Sequence, residues 1–299
     1  MKMPVVLNFG SLNLDYVYSV DHFTLPGETQ TGLDFNCFSG GKGLNQSVAL
    51  ARAGVCVYHA GKIGSDGAML QETLSAAGVH TDDLLTDDSV ATGHAIIEVE
   101  RSGGGNRILL FPGANRSIKE DEMRRILDRF PSGTILLLQN EINGIDFLMK
   151  EAAARGFRIC INPAPCTPDV RTLPLHLAQT VFVNEIEAAV LADAPSGILP
   201  EDLASILCGR WSGTEFILTL GSAGALYAKG TVRYSVPAHP VAEVADTTSA
   251  GDTFTGYYLA SLLRGSTPEQ ALRDASRAAS ITVSRRGAAQ SIPLADEVF

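Results

Sequence analysis

The sequence has few cysteines, and their arrangement excludes the sites that cysteines usually build. The chain of 299 residues contains only Cys37, Cys56, Cys160, Cys166 and Cys208, and no two of them form a CxxC pair. This odd number and scattered spacing argue against a disulfide framework and against a zinc site. We therefore expect reduced thiols, which are typical of a cytoplasmic protein.

Long hydrophobic runs and leader-like segments are also missing. No apolar stretch approaches the ~18 residues that a membrane-spanning helix needs. Residues 1–10 contain a short strand-like apolar run but lack the apolar region and cleavage site of a signal peptide. We therefore expect a soluble, cytoplasmic protein without a membrane partner.

Positive charge is scarce. Lys and Arg number 23 against 33 Asp and Glu, which gives a formal net charge of −10. Such a surface repels nucleic acids, which are bound largely through Lys and Arg, so no nucleic-acid partner is expected. An anionic substrate such as ATP would need local help from Mg²⁺ and from backbone amides.

Two common nucleotide-binding motifs are absent as well. The GKG triplet at 41–43 is not part of GxxxxGK[ST], so it is not a P-loop, and no GxGxxG follows the first strand. The six His residues are dispersed and form no ligand pair, so structural roles are expected for them.

What the sequence does contain is a regular alternation from about residue 130 onward. Strands are predicted at 135–138, 158–161, 180–183 and 216–220, and helices around 147–155 and 187–191. This alternation is typical of a mostly parallel sheet covered by helices. The predicted fold class is therefore α/β, with a three-layer α/β/α main domain.

Polar residues follow these predicted strands. Asn162, Asn184–Glu187 and Thr219–Gly224 each lie where a strand ends, and Asn184 could cap the next helix. Ligands of open α/β sheets bind at the carboxyl ends of the strands. The functional site is expected at this edge.

The first third of the chain has a different pattern. Amphipathic strands are predicted at 16–20, 29–38 and 94–100, and a turn at 103–106 would join the last of them to 107–111 as a hairpin. We interpret these strands as a small β-sheet lid, built approximately from 12–38 and 91–113 and interrupted by a helix over 43–52. The chain, 1–299, is then a single domain with a lid. Pairing of two lids in a homodimer would protect their free edges.

The strongest chemical signal is the heptapeptide Asp246–Asp252. It precedes a helical pattern over 253–264, with Gly265 as the stop. A turn of small residues that enters a helix presents free amides and favours a bound phosphate, so the amides of Ala250, Gly251 and Asp252 could surround a transferred phosphoryl group. Asp252 could take the proton of an attacking hydroxyl. The alternative is that Asp252 only caps the helix.

This heptapeptide resembles the C-terminal signature of the PfkB family of sugar kinases, also called ribokinase-like. Ser39–Gln46 is similar to the family's N-terminal Gly-Gly signature, and the ribokinase branch has the most similar sugar-site motifs. The remaining motifs follow in the family's order over nearly the whole chain: Gly10–Asp15, Pro26–Thr29, Pro112–Asn115, Asn162–Pro165, Asn184–Glu187, Thr219–Gly224, Arg285–Ala288 and Ser291–Pro293. Each motif alone is weak, but the ordered set is specific.

The resemblance implies an ATP-dependent kinase that phosphorylates a primary hydroxyl of a small sugar, with ribose as the first choice. A nucleoside, deoxyribose or a ketohexose is the alternative substrate for a kinase of this fold. A non-catalytic sugar-binding protein on the same scaffold is a remote alternative.

The resemblance also implies site residues. Catalysis would depend on Asp252, Gly251 and Ala250. The implied sugar contacts are Asn13, Asp15, Gly41, Lys42, Gly43, Leu44, Asn45, Glu141 and Asp252. The implied nucleotide contacts are Asn184, Glu187, Thr219, Gly221, Ser222, Gly224 and Gly251, and Asn184 and Glu187 would also help to hold the hydration shell of Mg²⁺. A K⁺ site is implied at Asp246 and Thr248, together with the backbone oxygens of Thr282, Arg285 and Gly287 and with Ser291.

Leu44 departs from the family pattern, in which alanine is common at this position of ribokinases. Because it lies inside the Gly-Gly motif, its bulk could change which sugar fits. Ser249 likewise replaces a common alanine.

Overall fold

The structure is a computed structural model that describes residues 5–101, 105–195 and 197–299. Its strands are β1 (Val6–Phe9), β2 (Asn13–Val20), β3 (Asp34–Gly40), β4 (Val57–Ile63), β5 (His80–Thr86), β6 (Gly93–Glu100), β7 (Asn106–Phe111), β8 (Ile135–Gln139), β9 (Arg158–Asn162), β10 (Ala178–Asn184), β11 (Glu215–Thr219), β12 (Ala225–Lys229) and β13 (Val232–Val236). Its α-helices are α1 (Lys42–Arg52), α2 (Ala68–Ala76), α3 (Glu120–Leu127), α4 (Ile145–Ala154), α5 (Glu185–Ala192), α6 (Pro200–Arg210), α7 (Ala250–Leu263), α8 (Pro268–Val283) and α9 (Ala295–Val298).

Among the described residues, nine strands form the main sheet in the order β13-β12-β11-β10-β9-β8-β1-β4-β5. From β11 to β5 all neighbours are parallel, and β12 alone runs antiparallel to both of its neighbours, β11 and β13. Consecutive residues of β8 alternate between two cores: Leu137 packs with α1, α7 and α8, whereas Leu136 and Leu138 pack with α3 to α6. This confirms the predicted three-layer α/β/α architecture.

A separate small sheet has the order β3-β2-β6-β7. β2 pairs parallel with β6 and antiparallel with β3, and β6 pairs antiparallel with β7, as the predicted hairpin requires. The turn predicted at 103–106 lies partly outside the described residues. The strand predicted over 29–38 begins only at Asp34, because Asp34 pairs with Ser19 and β2 ends one residue later.

The first third contributes more to the main sheet than its sequence pattern indicated, since β1, β4 and β5 all belong to that sheet. β4 was missed because His59 and Lys62 interrupt its apolar pattern. Lys62 is nevertheless buried, and its ammonium lies 2.7 Å from a carboxylate oxygen of Glu122. A buried charge with a partner at this distance is compatible with a core strand.

Helix α7 is buried on nearly every side between α1 and α8, not on one face as the periodicity predicted. A Cβ on Gly256 would lie 2.5 Å from the Cβ of Ala49, so a glycine is needed where α7 crosses α1. This close crossing brings Ser39–Gln46, the segment similar to the N-terminal Gly-Gly signature, to the start of α7.

No helix within the described ranges is both long and apolar enough to cross a bilayer. All five cysteines are free thiols.

Candidate active site

The carboxyl ends of three neighbouring strands and the start of α7 enclose a cavity of about 220 Å³. Asn162 ends β9, Asn184 ends β10 and Thr219 ends β11, and Asn184 and Thr219 are register partners. The lining residues are Lys42, Asn162, Phe182, Val183, Asn184, Glu187, Thr219, Thr247, Ser249, Ala250, Gly251, Asp252 and Thr255. The cavity therefore lies at the sheet edge where the sequence predicted a site.

The turn before α7 lines this cavity. Ser249 adopts the left-handed conformation at φ 62° and starts the helix. The amide of Ala250 already donates to the carbonyl of Thr247 at 3.3 Å. The amides of Gly251 and Asp252 lie in the first helical turn, where N–H groups have no partner within the helix. A Cβ on Gly251 would meet no atom within 4 Å, so that side is open to a ligand.

The carboxylate of Asp252 is only 7% exposed and is held from α1. Its Oδ1 accepts a hydrogen bond from Gln46 Nε2 at 2.9 Å, and its Oδ2 accepts one from Asn45 Nδ2 at 3.1 Å. The side chain is thus fixed by residues more than 200 positions away and does not cap its own helix. Of the two interpretations of Asp252, the cap does not describe this geometry.

Lys42 lies on the same cavity, although the resemblance grouped it with the sugar contacts. Burial lowers the pKa of Lys42, but the charges of Asp252, Glu141 and Glu187 outweigh burial and raise that pKa above its usual value. The ammonium therefore stays positive among three carboxylates. Anionic phosphate oxygens would be attracted to this point of the cavity.

Asn13 and Asp15 lie on one face of β2, two residues apart. Asn13 Oδ1 accepts a hydrogen bond from Asn115 Nδ2 at 2.8 Å, and Asn115 also bonds both the amide and the carbonyl of Leu12 at 3.0 Å. This hydrogen bond fixes the side chain of Asn13. The amide nitrogen of Asn13 therefore points away from Asn115. The sequence had identified Asn115 only as part of a motif.

Burial, and then the neighbouring charge of Glu141, raise the pKa of Asp15 to about 7. Glu141 itself caps α1: its Oε2 accepts the amide of Lys42 at 3.0 Å and also the hydroxyl of Ser11. Glu141 was predicted as a sugar contact, and the sequence held no signal for the cap because 99 residues separate it from Lys42.

The other predicted sugar residues belong to the start of α1. Gly41 precedes the helix at φ 93°, a conformation that favours glycine. Gly43 is buried against the backbone of Ser11, where a Cβ would lie 2.3 Å from the amide nitrogen. Asn45 Oδ1 is buried and has no hydrogen-bond partner among the described residues.

Leu44, which was expected to shape the sugar pocket, lies in the hydrophobic core. Its side chain is fully buried in the hydrophobic core, and its amide donates to the carbonyl of Ser11 at 3.0 Å. Neither part of the residue is free to contact a ligand, because α1 turns Leu44 toward the sheet.

The predicted nucleotide residues divide into two groups. Asn184 and Glu187 form a reciprocal cap at the start of α5, with hydrogen bonds of 2.8 and 2.9 Å, and both line the cavity together with Thr219. Gly221 and Ser222 lie in an exposed turn after β11, beyond the cavity lining. Gly224 packs against β13, since a Cβ there would lie 2.0 Å from the carbonyl oxygen of Val236.

Only some of the residues predicted to bind a cation form hydrogen bonds with one another. Asp246 accepts hydrogen bonds from the amide and hydroxyl of Thr248 at 2.9 and 2.7 Å, and from the amide of Gly287 at 3.1 Å. Burial raises the pKa of Asp246, but these hydrogen bonds outweigh it and hold the pKa below its usual value. The side chain of Thr282 bonds to Thr253, that of Arg285 to Glu297, and that of Ser291 to the carbonyl of Ala288. For Thr282 and Arg285 the resemblance implied backbone oxygens, so the positions of these two side chains do not bear on that prediction.

A larger, more open hollow of about 570 Å³ lies between α6 and the turn that joins β12 to β13. Its lining includes Glu201, Cys208 and Arg233 but none of the predicted site residues. It is therefore not the site that the strand ends define.

Several lining residues were given no individual role from the sequence, although Asn162 had been placed at the expected sheet edge. Asn162, Thr247 and Ser249 belong to recognised motifs, so motif membership could have identified them. Phe182, Val183 and Thr255 line the cavity because of where β10 and α7 pass, and no local pattern marks them.

Comparison with known proteins identifies the family to which this chain is similar. The family model described as pfkB family carbohydrate kinase matches residues 3–295. A ribokinase of Haemophilus influenzae is 35% identical, covering 97% of this chain and 95% of its own length, and a ribokinase of Bacillus subtilis is 34% identical, covering 97% and 96%. A structure of Arabidopsis thaliana ribokinase complexed with ribose and ATP superposes with a TM-score of 0.89 at 29% identity, covering 99% of this chain and 97% of that one.

The chain therefore belongs to the pfkB family of carbohydrate kinases. It is a kinase that transfers a phosphoryl group to a sugar hydroxyl, as its family and its relatives indicate.

Proposed function

We propose that the chain transfers the γ-phosphoryl group of ATP to the primary hydroxyl of ribose and forms ribose 5-phosphate. Relatives at 34–35% identity over nearly the full length are ribokinases, and a similar structure is of a ribokinase complexed with ribose and ATP. The observation that carries the proposal is the buried carboxylate of Asp252 beside two free amides on a cavity at the sheet edge.

Asp252 accepts the proton of the sugar hydroxyl as the new O–P bond forms and the bond from the γ-phosphorus to the leaving ADP breaks. The amides of Gly251 and Asp252, the positive end of α7 and the ammonium of Lys42 balance the charge on the transferred group. Phosphoryl transfer needs mainly this positioning and charge stabilisation, with little covalent work by the protein.

The sugar is bound by Asn13 and Asp15 from the small sheet and by Asn45 from α1. Because Asn115 occupies the oxygen of Asn13, the nitrogen of Asn13 is left to donate to a sugar oxygen. Asp15 and the unpartnered Asn45 Oδ1 can accept from sugar hydroxyls. Donors and acceptors held in this way favour a ligand with several hydroxyl groups.

The nucleotide binds across the ends of β10 and β11, with Asn184, Glu187 and Thr219 on the cavity and with Gly221 and Ser222 in the adjoining turn. Glu187 is half-buried and presents its carboxylate beside this space. Mg²⁺ keeps several waters and takes few protein ligands, so Glu187 with phosphate oxygens fits its requirements. Within the described ranges, no group of three or more His, Cys, Asp or Glu could hold a metal without such help.

A monovalent cation such as K⁺ is proposed beside Asp246, Thr248 and Gly287, which the hydrogen bonds already bring together. It would order the turn that presents the Gly251 amide. Replacing K⁺ with a large cation that cannot enter should lower turnover, and an unchanged rate would remove the cation from the proposal.

A homodimer is proposed through the small sheet. All six residues of β7 are exposed, and Ile108, Leu109, Leu110 and Phe111 form a continuous apolar run at a sheet edge. A second copy could cover this run and pair the edge, and closure of the sheet over the sugar would exclude water. Light scattering should give twice the chain mass, with Ile108→Lys reducing it to one chain; a wild-type monomer would refute the dimer.

The five free thiols favour a reducing compartment, and we propose that the protein acts in the cytoplasm. The net charge of −10 gives no support to a nucleic-acid or membrane-surface partner.

The test of the proposed function is a substrate panel with MgATP and K⁺. Ribose, 2-deoxyribose, a ketohexose and a nucleoside should be compared by kcat/KM from ADP release, with 5-deoxyribose as the control that lacks the reacting hydroxyl. Ribose should have the highest value and 5-deoxyribose should give no product. A higher value for another member would reassign the substrate, and sugar binding without any ADP release would refute the kinase.

A further inference from the structure

We propose that Gln46 is a positioning residue for phosphoryl transfer, which holds the carboxylate of Asp252 and is itself held by Gln139. This inference rests on the proposed role of Asp252 as the base. Gln46 lies just after the residues to which the family resemblance gives a role, and it does not line the cavity.

The orientation of Gln46 follows from its partners. Its Nε2 donates to Asp252 Oδ1 at 2.9 Å and to Asn162 Oδ1 at 3.2 Å, so both amide hydrogens have an acceptor. Its Oε1 accepts from Gln139 Nε2 at 2.7 Å. A flipped amide would place oxygen against the Asp252 carboxylate and nitrogen against the Gln139 nitrogen. Only one orientation is therefore compatible with the site.

Gln139 is in turn held by the sheet beneath it. Its Nε2 also donates to Asn8 Oδ1 at 3.0 Å, and Asn8 Nδ2 donates to Ser47 Oγ at 2.8 Å and to the Gly43 carbonyl at 2.7 Å. Gln139 ends β8 and Asn8 lies in the neighbouring strand β1. The orientation of Gln46 is thus set by two central strands of the main sheet.

This network carries no positive charge. Beyond Asn8 it continues through Ser47 to His59 Nδ1 at 2.8 Å, and burial lowers the pKa of His59 to about 3, so its ring is neutral at physiological pH. Amide dipoles therefore orient the Asp252 carboxylate, and the only nearby positive charge described above, that of Lys42, lies outside this network. A general base needs this combination, since it must be fixed in space and still take up a proton.

Loss of Gln46 should act on turnover and not on binding. With only Asn45 left as a donor, the Asp252 carboxylate can rotate away from the sugar hydroxyl. A misplacement of about 1 Å at the reacting atoms costs up to roughly 100-fold in rate. Gln46 is 0% exposed and, unlike Asn45, both polar atoms of its side chain already bond to protein partners, so it has no direct contact with sugar or nucleotide to lose.

The experiment compares Gln46→Met, Gln139→Met and the double variant by steady-state kinetics with ribose and MgATP. Gln46→Met should lower kcat by roughly 10- to 100-fold and leave both KM values within about threefold. Gln139→Met should lower kcat less, and the double variant should be no slower than Gln46→Met alone, because both act through one contact.

Asn143→Leu is the matched control, since it removes another partly buried amide, one that bonds the backbone of Ile118 away from the cavity. It should leave kcat unchanged even if it lowers the melting temperature. If Gln46→Met fails to fold, Gln139→Met still tests the inference, because the Gln139 side chain bonds to Asn8 and Gln46, not to Asp252, and does not itself line the cavity.

A rise in KM in place of a fall in kcat would overturn the inference, and so would losses in kcat that multiply in the double variant. Asp252→Asn separates this inference from the proposed function. If Asp252→Asn is nearly as active as the wild type, the base itself is wrong. If it is inactive while Gln46→Met and Gln139→Met retain the wild-type kcat, only the positioning role is wrong.

Discussion

The two sheets of this protein differ in how they are supported, although both contribute to the candidate site. In the main sheet, β1 and β8 are buried along their whole length and helices cover both faces. In the small sheet, β7 is exposed along its whole length, and β3 is exposed over its first half. One side of the site is therefore built on a packed core, and the other on a sheet with open faces.

This difference matches what each side has to do. Asp252 and the amides beside it must keep a fixed geometry, and Gln46 connects them to β1 and β8 through buried amides. In the proposed function, Asn13 and Asp15 admit a sugar and release a product, and they lie on the small sheet. Elements that move with ligands have less packing than a core. In the proposed function, this chain therefore combines a rigid site for phosphoryl transfer with a sugar-binding sheet that is packed less tightly.

The largest expected effect lies on the rigid side. Asp252→Asn removes the proton acceptor and should lower kcat by ~10²–10⁴ while the chain stays folded, measured by ADP release and circular dichroism. Asp274→Asn is the matched control, because it changes a partly buried carboxylate on α8 that bonds Ser261 and does not line the cavity. Activity of Asp252→Asn within a few-fold of wild type would refute the assigned base.

A second prediction compares the same substitution in the two sheets. Leu137→Ala in β8 removes a side chain that is 0% exposed and should lower the free energy of unfolding by about 2–5 kcal/mol. Leu109→Ala in β7, where the side chain is 69% exposed, should change it by less than about 0.5 kcal/mol in the monomer. Urea denaturation at low concentration measures both. A cost above about 1 kcal/mol for Leu109→Ala would mean that this sheet is covered in solution.

A third prediction concerns Asp15 on the small sheet, whose pKa is raised from 3.8 to about 7. Asp15→Asn should raise KM for ribose at pH 8 by roughly 10- to 100-fold, the worth of a hydrogen bond to a charged group. Below pH 7 the wild-type KM should rise toward that of the variant, because Asp15 becomes protonated.

The same raised pKa predicts the sign of a stability effect. Folded chains keep the Asp15 proton up to about pH 7 and unfolded chains lose it near 3.8, so this residue lowers stability as the pH rises through that window. The stability of Asp15→Asn relative to wild type should therefore increase from pH 4 to pH 8. Asp34→Asn, an exposed carboxylate of the same sheet, is the control. A pH-independent difference would contradict the raised pKa.

Much of the fold could be predicted because its strands have simple patterns. The run 135–138 is apolar at every position, which is typical of a strand buried on both faces, and the structure confirms β8 there. The cap at Asn184 was predicted and is formed. β4 was missed because Lys62 is buried with Glu122, a partner 60 residues away that no local window includes. The observed strand ends differ from the predicted ones where pairing with a neighbouring strand sets the end, as at the start of β3.

The candidate site divides in the same way. Residues within recognised motifs, such as Asp252, Gly251 and Asn184, could be identified from the sequence and lie together on the cavity. The cap formed by Glu141, the burial of Leu44 and the contact of Gln46 with Asp252 could not be identified. Each depends on a neighbour that is remote in the chain or on which way a helix faces.

The sequence by itself determined where many of the strands and helices form and which turn of small residues enters a helix, because these depend on nearby residues and on the periodicity of apolar side chains. Only the tertiary structure decided which carboxylates became buried, which amides hold Asp252, and how far the pKa of Asp15 rises. Burial and hydrogen-bond geometry arise when segments such as α1 and α7, about 200 residues apart in the chain, pack together.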